Sequence, residues 1–292
     1  MSRQEILTNL LQSNRTLVMG VLNITEDSFS DGGRYLNPDK AVDHAESMIR
    51  DGADIIDIGA ESTRPGAVRV PEEVEKERIV RAVESLSRAY PDVALSIDTT
   101  RSAVAQAALD AGAHIINDVS GGKLDDNIAR VVAKSDCLYI VQHWRTWLGK
   151  SSEADTTFYE HGVVADTYAE LQAQVEAVQA LGVPRERIII DPGLGFSKPT
   201  IEHNLPLIMA TQHFSDMGYP VLIGASRKRF VAAMVARAGA QDSEEARDDM
   251  TAALTVLAAE RGAWAVRVHN VAPNRFAVQA VSETYAGEQG SN

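Results

Sequence analysis

Short apolar runs alternate along the chain with longer stretches in which apolar residues recur at helical spacing. Eight of these runs predict β-strands, and several are apolar at every position, as expected for parallel strands buried on both faces. They are Leu17–Val21, Ile55–Gly59, Leu95–Asp98, Ile115–Val119, Leu138–Gln142, Ile188–Asp191, Val221–Ala225 and Ala265–Val268. The stretches between them, such as 103–109 and 250–259, predict helices. A strand recurs roughly every 35 residues, which is typical of βα units.

A weak internal repeat supports this organisation. The segments 51–57, 111–117 and 261–267 each carry a Gly-Ala pair, one further residue, two apolar residues and then a polar one. The Gly in each copy is predicted to end a helix in the left-handed conformation, which a Cβ disfavours. The polar residue falls at the same offset in each copy, where the following strand approaches its far end.

Eight βα units without a linker predict one α/β domain, a closed (β/α)₈ TIM barrel over residues 17–285. An N-terminal segment, 1–16, precedes the barrel, and residues 286–292 are expected to form a disordered tail. A doubly wound open sheet is the alternative fold. The barrel prediction places the active site at the C-terminal ends of the strands and in the loops that follow them.

Composition narrows the functional classes. The formal net charge of −13 argues against a nucleic-acid-binding surface. No stretch approaches the roughly 20 apolar residues that a membrane-spanning helix needs. The single cysteine, Cys137, lies in an apolar run and cannot form a disulfide within the chain. The N-terminal residues do not resemble a signal peptide, so a cytoplasmic location is expected.

Polar residues close every predicted strand. Taken singly, Thr99, Asp118 and Asn270 are best interpreted as helix caps. Asp98, Asn117 and Asp191 end apolar strands, where a carboxylate or amide without a partner is costly, so they are expected to meet a ligand or a polar network.

Two Asp, one Asn and the nearby Lys228 suit the donors and acceptors of a guanine- or pterin-like ring. Arg267 and His269 alternate on the last strand and can together hold a phosphate. The sequence shows no obvious His–carboxylate dyad. It also indicates no role for Gln142 and His143, at the end of the fifth strand.

Seven motifs follow one another at these strand ends, within about 17–278. They are Met19–Gly33, Ile58–Gly66, Ser96–Thr99, Asn117–Gly122, Asp191–Phe196, Ser226–Lys228 and Arg267–His269. In this order they closely resemble the dihydropteroate synthase family of pterin-binding TIM barrels, the folate-biosynthesis enzymes that sulfonamides target. The chain departs from the residues usual in the family at Gln142, Arg229 and Asn270.

The resemblance implies an activity. Family members are transferases that condense 6-hydroxymethyl-7,8-dihydropterin pyrophosphate with p-aminobenzoate, using Mg²⁺, and release 7,8-dihydropteroate and pyrophosphate. An SN1-like displacement is expected, because the reduced ring can stabilise positive charge as pyrophosphate leaves. Members are usually homodimers.

The resemblance also implies site residues. Asp98, Asn117, Asp191 and Lys228 match the pterin-binding positions, and Asp98, Asp191 and Lys228 among them are the expected catalytic residues. Asn23, Arg267 and His269 match the pyrophosphate-binding positions, with Asn23 as the metal ligand. The p-aminobenzoate-binding positions correspond to Thr63, Arg64, Pro65, Phe196 and Ser226.

Three other functions fit parts of this pattern. A pterin-dependent methyltransferase shares the barrel, but residues 23–33 and 226–228 match the synthase signatures. A non-catalytic pterin-binding paralogue should have lost one of Asn23, Asp98, Lys228, Arg267 or His269, and all five are present. A phosphosugar-binding barrel would not need the two Asp residues.

Overall fold

The structure is a computed structural model that describes residues 1–24, 38–61, 70–146 and 156–289. Its strands are β1 (Leu17–Asn23), β2 (Ile55–Gly59), β3 (Ala94–Asp98), β4 (Ile115–Asp118), β5 (Leu138–Gln142), β6 (Ile188–Asp191), β7 (Leu222–Ile223) and β8 (Ala265–Val268). All pair in parallel, in the order β6-β5-β4-β3-β2-β1-β8-β7. A parallel bridge between Ile190 and Val221 joins the two ends of this series. The sheet is therefore a closed eight-stranded barrel, as predicted, and the open-sheet alternative is wrong.

Helices surround the barrel between the strands. In the described part of the chain they are α1 (Arg3–Leu11), α2 (Pro38–Arg50), α3 (Glu72–Ala89), α4 (Ser102–Ala111), α5 (Asn127–Ala133), α6 (Val163–Ala180), α7 (Ile201–Met209), α8 (Thr211–Ser215), α9 (Arg229–Arg237), α10 (Glu244–Glu260) and α11 (Val271–Gln289). None of the described helices is long and apolar enough to cross a membrane.

Strand β7 is shorter than the predicted run Val221–Ala225. Val221 forms an isolated bridge to Ile190, its carbonyl accepts from the Trp264 N–H at 2.9 Å, and the chain leaves the sheet after Ile223. Val221 and Ala225 are nevertheless buried. The apolar run therefore indicated burial correctly, but burial extends beyond the residues that form the ladder.

Helix α1 closes the N-terminal end of the barrel. Its first turn is fixed by a capping box, in which Ser2 and Glu5 each accept a hydrogen bond from the other's backbone. Ile6, Leu7 and Leu10 pack against the inward-facing residues at the starts of the strands, such as Leu17. The interior at this end is thus filled with apolar side chains, and polar chemistry is confined to the opposite end.

The internal repeat folds as expected. Gly52, Gly112 and Gly262 follow helices α2, α4 and α10, and their φ angles are 99°, 115° and 78°. This left-handed conformation turns the chain from each helix into the next strand.

The C-terminal end differs from the expected disordered tail. Helix α11 continues to Gln289, four residues into the segment 286–292. Ala286, Glu288 and Gln289 are good helix formers, and the single Gly287 does not outweigh them. The division of the chain at 16 and 285 remains a prediction.

Candidate active site

Arg267 is the centre of a polar network inside the C-terminal end of the barrel. Its Nε donates to Oδ2 of Asp57 at 2.6 Å, and its Nη2 donates to Oδ2 of Asp98 at 2.7 Å. Asn117 Nδ2 donates to the same Asp57 oxygen at 3.1 Å. Four strands, β2, β3, β4 and β8, thus contribute one side chain each. Asp98 and Asn117 were predicted to lie together, and the structure brings them together.

Asp57 is the member of this network that the sequence analysis missed. It lies inside β2, not at its end, and is fully buried. The signal was present in the internal repeat, because Asp57, Asn117 and Arg267 occupy its common polar offset. That shared offset places the three side chains at one level of the barrel, where they bond to each other. Oδ1 of Asp57 is buried and accepts no hydrogen bond from a described residue, so a ligand or water donor is expected there.

The charged groups of this network change each other's pKa values. Burial is the main cause that raises the pKa of the Asp98 carboxyl to about 7; the Arg267 charge opposes this shift and the Asp57 charge adds to it. Burial would lower the pKa of Arg267, but Asp57 and Asp98 together hold it above its ordinary value. Arg267 is therefore a permanent cation, whereas Asp98 can change its charge near neutral pH.

Lys228 and Asp191 lie beside this network and affect each other's charge. Lys228 Nζ donates to the Leu194 carbonyl, and Asp191 Oδ1 accepts from the Gly193 N–H at 2.7 Å. A Cβ placed on Gly224 would lie 3.7 Å from Lys228 Nζ and 3.8 Å from Asp191 Oδ2, so both groups border the same point. Burial lowers the pKa of Lys228 to about 8, although Asp191 opposes this, and burial raises the pKa of Asp191.

The turn after β6 depends on Gly193. Its φ is +70°, and a Cβ there would lie 2.2 Å from the backbone oxygen of His143. We expect Gly193→Ala to lower the free energy of unfolding by about 3 kcal/mol, through strain at positive φ and a backbone clash. Gly239→Ala is the matched control, because Gly239 also has a positive φ, +75°, but has open space around it. It should cost only about 1 kcal/mol. Urea unfolding measures both, and equal losses would show that the clash is relieved without cost.

Ser226 and His269 are in direct contact. The His269 N–H donates to Ser226 Oγ at 3.2 Å, and His269 Nδ1 lies 3.0 Å from the same oxygen. On the other side, Lys228 Nζ lies 5.0 Å from the centre of the Phe196 ring. Phe196 therefore lies near Lys228, and Ser226 lies beside His269.

Asn23 ends β1 next to Gly59 and is exposed. A Cβ on Gly59 would lie 3.7 Å from Asn23 Oδ1 and 3.8 Å from Asp98 Oδ2. In the part of the chain that is described, no group of three or more His, Cys, Asp or Glu side chains could hold a metal ion. One exposed amide oxygen does fit Mg²⁺, which commonly takes one or two protein ligands and completes its shell with water and substrate phosphates. Thr63, Arg64 and Pro65, predicted on the p-aminobenzoate side, lie outside the described residues.

The basic run 226–229 separates into different environments. Arg227 has a φ of +56° and pairs with Asp248, its Nε and Nη2 each 2.8 Å from a carboxylate oxygen. Arg229 begins α9 and is exposed.

Asp118, interpreted from sequence as a cap, accepts four hydrogen bonds, from Ser120 (N and Oγ), the Gly122 N–H and the Tyr139 hydroxyl, and so organises the turn after β4.

The end of β5 carries a buried network that the sequence did not indicate. His143 is fully buried, with Nε2 3.0 Å from Glu170 and Nδ1 2.8 Å from Lys198 Nζ. His143 and Glu170 thus form a His–carboxylate pair that the sequence did not indicate, because the two residues are 27 positions apart. Burial, with the Lys198 charge, lowers the pKa of His143 to about 3. Gln142 Nε2 donates to the Val119 carbonyl at 3.1 Å.

The chain is similar to known proteins over most of its length. Residues 19–269 match the family model of the pterin binding enzymes. Dihydropteroate synthase of Mycobacterium leprae is 46% identical over 274 residues, which cover 93% of this chain and 95% of the relative. The chain belongs to the pterin-binding enzyme family and, within it, to the dihydropteroate synthases. It is therefore a transferase of folate synthesis.

Two solved structures are similar in fold and sequence. Dihydropteroate synthase from Clostridium difficile, determined in the presence of pteroic acid, has a TM-score of 0.83 and 36% identity, covering 93% of this chain and 97% of that one. Dihydropteroate synthase from Xanthomonas albilineans with 4-aminobenzoic acid has a TM-score of 0.83 and 35% identity, covering 94% of each chain.

Proposed function

We propose that the polar ring at the C-terminal end of this barrel condenses 6-hydroxymethyl-7,8-dihydropterin pyrophosphate with p-aminobenzoate to give 7,8-dihydropteroate and pyrophosphate. The observation that carries this proposal is the convergence of the Asp57–Asp98–Asn117–Arg267 network with the Lys228–Asp191 pair. Three carboxylates face two cations there. Such a site favours a ligand that is rich in N–H donors and becomes more positive during reaction.

The pterin is assigned to Asp98, Asn117, Asp191 and Lys228. The amidine-like edge of a pterin presents N–H and NH₂ donors side by side, which a carboxylate accepts. Asn117 can offer its amide oxygen, because its Nδ2 already donates to Asp57. Lys228 donates to a ring nitrogen or carbonyl. Asp98 and Asp191 are the carboxylates that would stabilise positive charge on the ring.

The reaction begins at the bond between the exocyclic CH₂ and the pyrophosphate oxygen. That bond breaks with its electron pair leaving on pyrophosphate, and the reduced ring delocalises the resulting positive charge. Arg267 and His269 are assigned to the leaving group. Arg267 Nε and Nη2 are held by Asp57 and Asp98, which leaves Nη1 as the nitrogen that neither carboxylate occupies. Asn23 would hold Mg²⁺, which when bound supplies positive charge to the pyrophosphate.

The amine side is assigned to Phe196 and Ser226, with Thr63, Arg64 and Pro65. The neutral aniline nitrogen attacks the CH₂ and then releases its proton to solvent, so the step needs no strong general base. His143 does not supply one, because its low pKa and its bonds to Lys198 and Glu170 remove it from that role. The protein must instead exclude water, which would capture the cation.

A direct assay tests this function. The purified protein is incubated with dihydropterin pyrophosphate, p-aminobenzoate and Mg²⁺, and dihydropteroate is followed by mass spectrometry. We expect product that depends on all three additions. Pterin binding by calorimetry without product would contradict the proposal and favour a non-catalytic paralogue.

A homodimer and a cytoplasmic location remain predictions, and plant relatives are named as mitochondrial proteins.

Pterin affinity should depend on pH through Asp98. Since the pKa of Asp98 is about 7, lowering the pH from 7.5 to 5.5 protonates the carboxylate that accepts from the pterin. The ionised form exists above the pKa, so affinity for 6-hydroxymethyl-7,8-dihydropterin should fall on acidification, by about 20-fold if only that form binds. Calorimetry across this range measures the effect. The Asp98→Asn protein should bind weakly at every pH; an unchanged slope in that variant would assign the titration to another group, such as Asp191.

A further inference from the structure

Lys198 carries its side-chain nitrogen inside the protein, under the turn that joins β6 to α7, where burial lowers its pKa well below the ordinary value. Its side chain is fully buried. Nζ lies 2.8 Å from His143 Nδ1, 3.2 Å from the Gly193 carbonyl and 3.1 Å from the Phe196 carbonyl. Three donors thus meet three acceptors, none of them a carboxylate. Burying a cation among neutral acceptors is costly, so a role beyond stability is worth seeking.

The turn that Lys198 holds is conformationally strained. Gly193, Gly195 and Ser197 have φ angles of +70°, +77° and +54°. Ser197 is the notable case, since its Cβ disfavours this conformation. Lys198 binds the carbonyls at both ends of the 193–196 turn, and Asn204 fixes its middle by accepting from the Gly195 N–H at 2.7 Å. The Phe196 ring therefore lies on a turn whose shape depends on bonds to the Lys198 ammonium.

The other partners of Lys198 fix its orientation. With Lys198 donating to Nδ1 of His143, the imidazole proton is on Nε2 and is donated to Glu170. Arg145 Nε donates to the same carboxylate oxygen at 2.8 Å, and the Arg145 guanidinium lies 3.9 Å over the Tyr159 ring. Every donor in this series of hydrogen bonds has an acceptor. The position of Lys198 Nζ is therefore fixed by His143, which follows β5, and through it by Glu170 of α6.

We propose that Lys198 is a positioning residue for the p-aminobenzoate subsite, acting through the backbone of the 193–196 turn to place Phe196 against the second substrate. This inference rests on the proposed function and deepens it. Asp191 should depend less on Lys198, because it is also anchored in the sheet by its register with Gln142 and by the His143 N–H, which donates to its carbonyl at 2.8 Å. Phe196 lies beyond the strand, within the turn.

Two variants test the role. Lys198→Met keeps the length of the side chain and removes the three donors. It is expected to raise the KM for p-aminobenzoate about tenfold or more, with a much smaller change in the KM for dihydropterin pyrophosphate. Arg187→Met is the matched control: Arg187 also donates to backbone carbonyls, including Val132, but at the opposite end of β6. It should lower the unfolding temperature and leave both KM values unchanged.

A double-mutant cycle with Phe196→Ala identifies the route of the effect. If Lys198 acts through Phe196, the double variant should have the same KM for p-aminobenzoate as Phe196→Ala alone. Additive effects, or equal rises in both substrates' KM values, would overturn the proposal. If Lys198→Met does not fold, Lys198→Gln, which retains N–H donors without the charge, takes its place with the same expected KM asymmetry in weaker form. Absence of dihydropteroate from the wild-type protein would instead contradict the proposed function.

Discussion

Replacement of Lys228 by methionine is expected to weaken pterin binding by about 100-fold or more. Of the neighbouring cations, Lys228 has the largest electrostatic effect on the buried Asp191 carboxyl, and a buried carboxylate that loses its compensating charge typically costs about 3–5 kcal/mol. The variant also loses the ammonium donor assigned to the ring. Calorimetry with 6-hydroxymethyl-7,8-dihydropterin measures the loss directly.

Arg229→Met is the control for this variant. Arg229 is the next residue, carries the same charge and is exposed at the start of α9. Its replacement should change pterin affinity less than about threefold, because exposed charges interact weakly. Equal losses in the two variants would mean that the site responds to the net charge of the segment and not to Lys228.

Asp57→Asn should lower kcat/KM for dihydropterin pyrophosphate by about 100-fold. Oδ2 of Asp57 accepts from both Arg267 and Asn117, so the substitution releases a phosphate-side residue and a ring-side residue together. Losing a charge-assisted bond of this kind costs about 2–4 kcal/mol where the partner stays buried. Steady-state kinetics with each substrate varied in turn measures the change.

Asp54→Asn provides the comparison, because it removes a similar ion pair at the other end of the same strand. Asp54 precedes β2 and binds Arg15 through both carboxylate oxygens, at 2.6 and 2.9 Å. That variant should lose stability and keep its kcat/KM. If Asp54→Asn lowers kcat/KM as much as Asp57→Asn, the loss of activity reflects the stability of the barrel and not the position of the Arg267 side chain.

Most of the fold could be predicted from the pattern of apolar residues. In seven of the eight strands the observed bounds and the predicted run differ by no more than two residues in total, because buried parallel strands are apolar throughout. The exception, β7, shows the limit of the rule: Ala225 is buried without pairing. The packing of α1 into the end of the barrel was not foreseen, since a short amphipathic segment does not reveal which surface it covers.

Some residues of the candidate site could be predicted one at a time, because burying a polar side chain without a partner is costly. Asp98 and Asp191 stand out because each ends an apolar strand, and Asn117 because it lies one residue before the end of another. Asp57 was missed because it lies inside the predicted strand and not at its end. The internal repeat nevertheless places it at the same offset as Asn117 and Arg267.

The network of His143, Glu170 and Lys198 could not be found from sequence. Its members are 27 and 55 residues apart along the chain, and no periodic pattern links them. Only the closure of the barrel and the course of the turn after β6 bring them into contact.

The most direct test of the site is a crystal structure of the protein with 7,8-dihydropteroate bound. The account predicts that the pterin ring lies within hydrogen-bonding distance of Asp98, Asn117, Asp191 and Lys228, with the aminobenzoate part beside Phe196. Arg267 should remain bonded to Asp57 and Asp98. A pterin ring bound elsewhere, or one that contacts neither Asp191 nor Lys228, would contradict it.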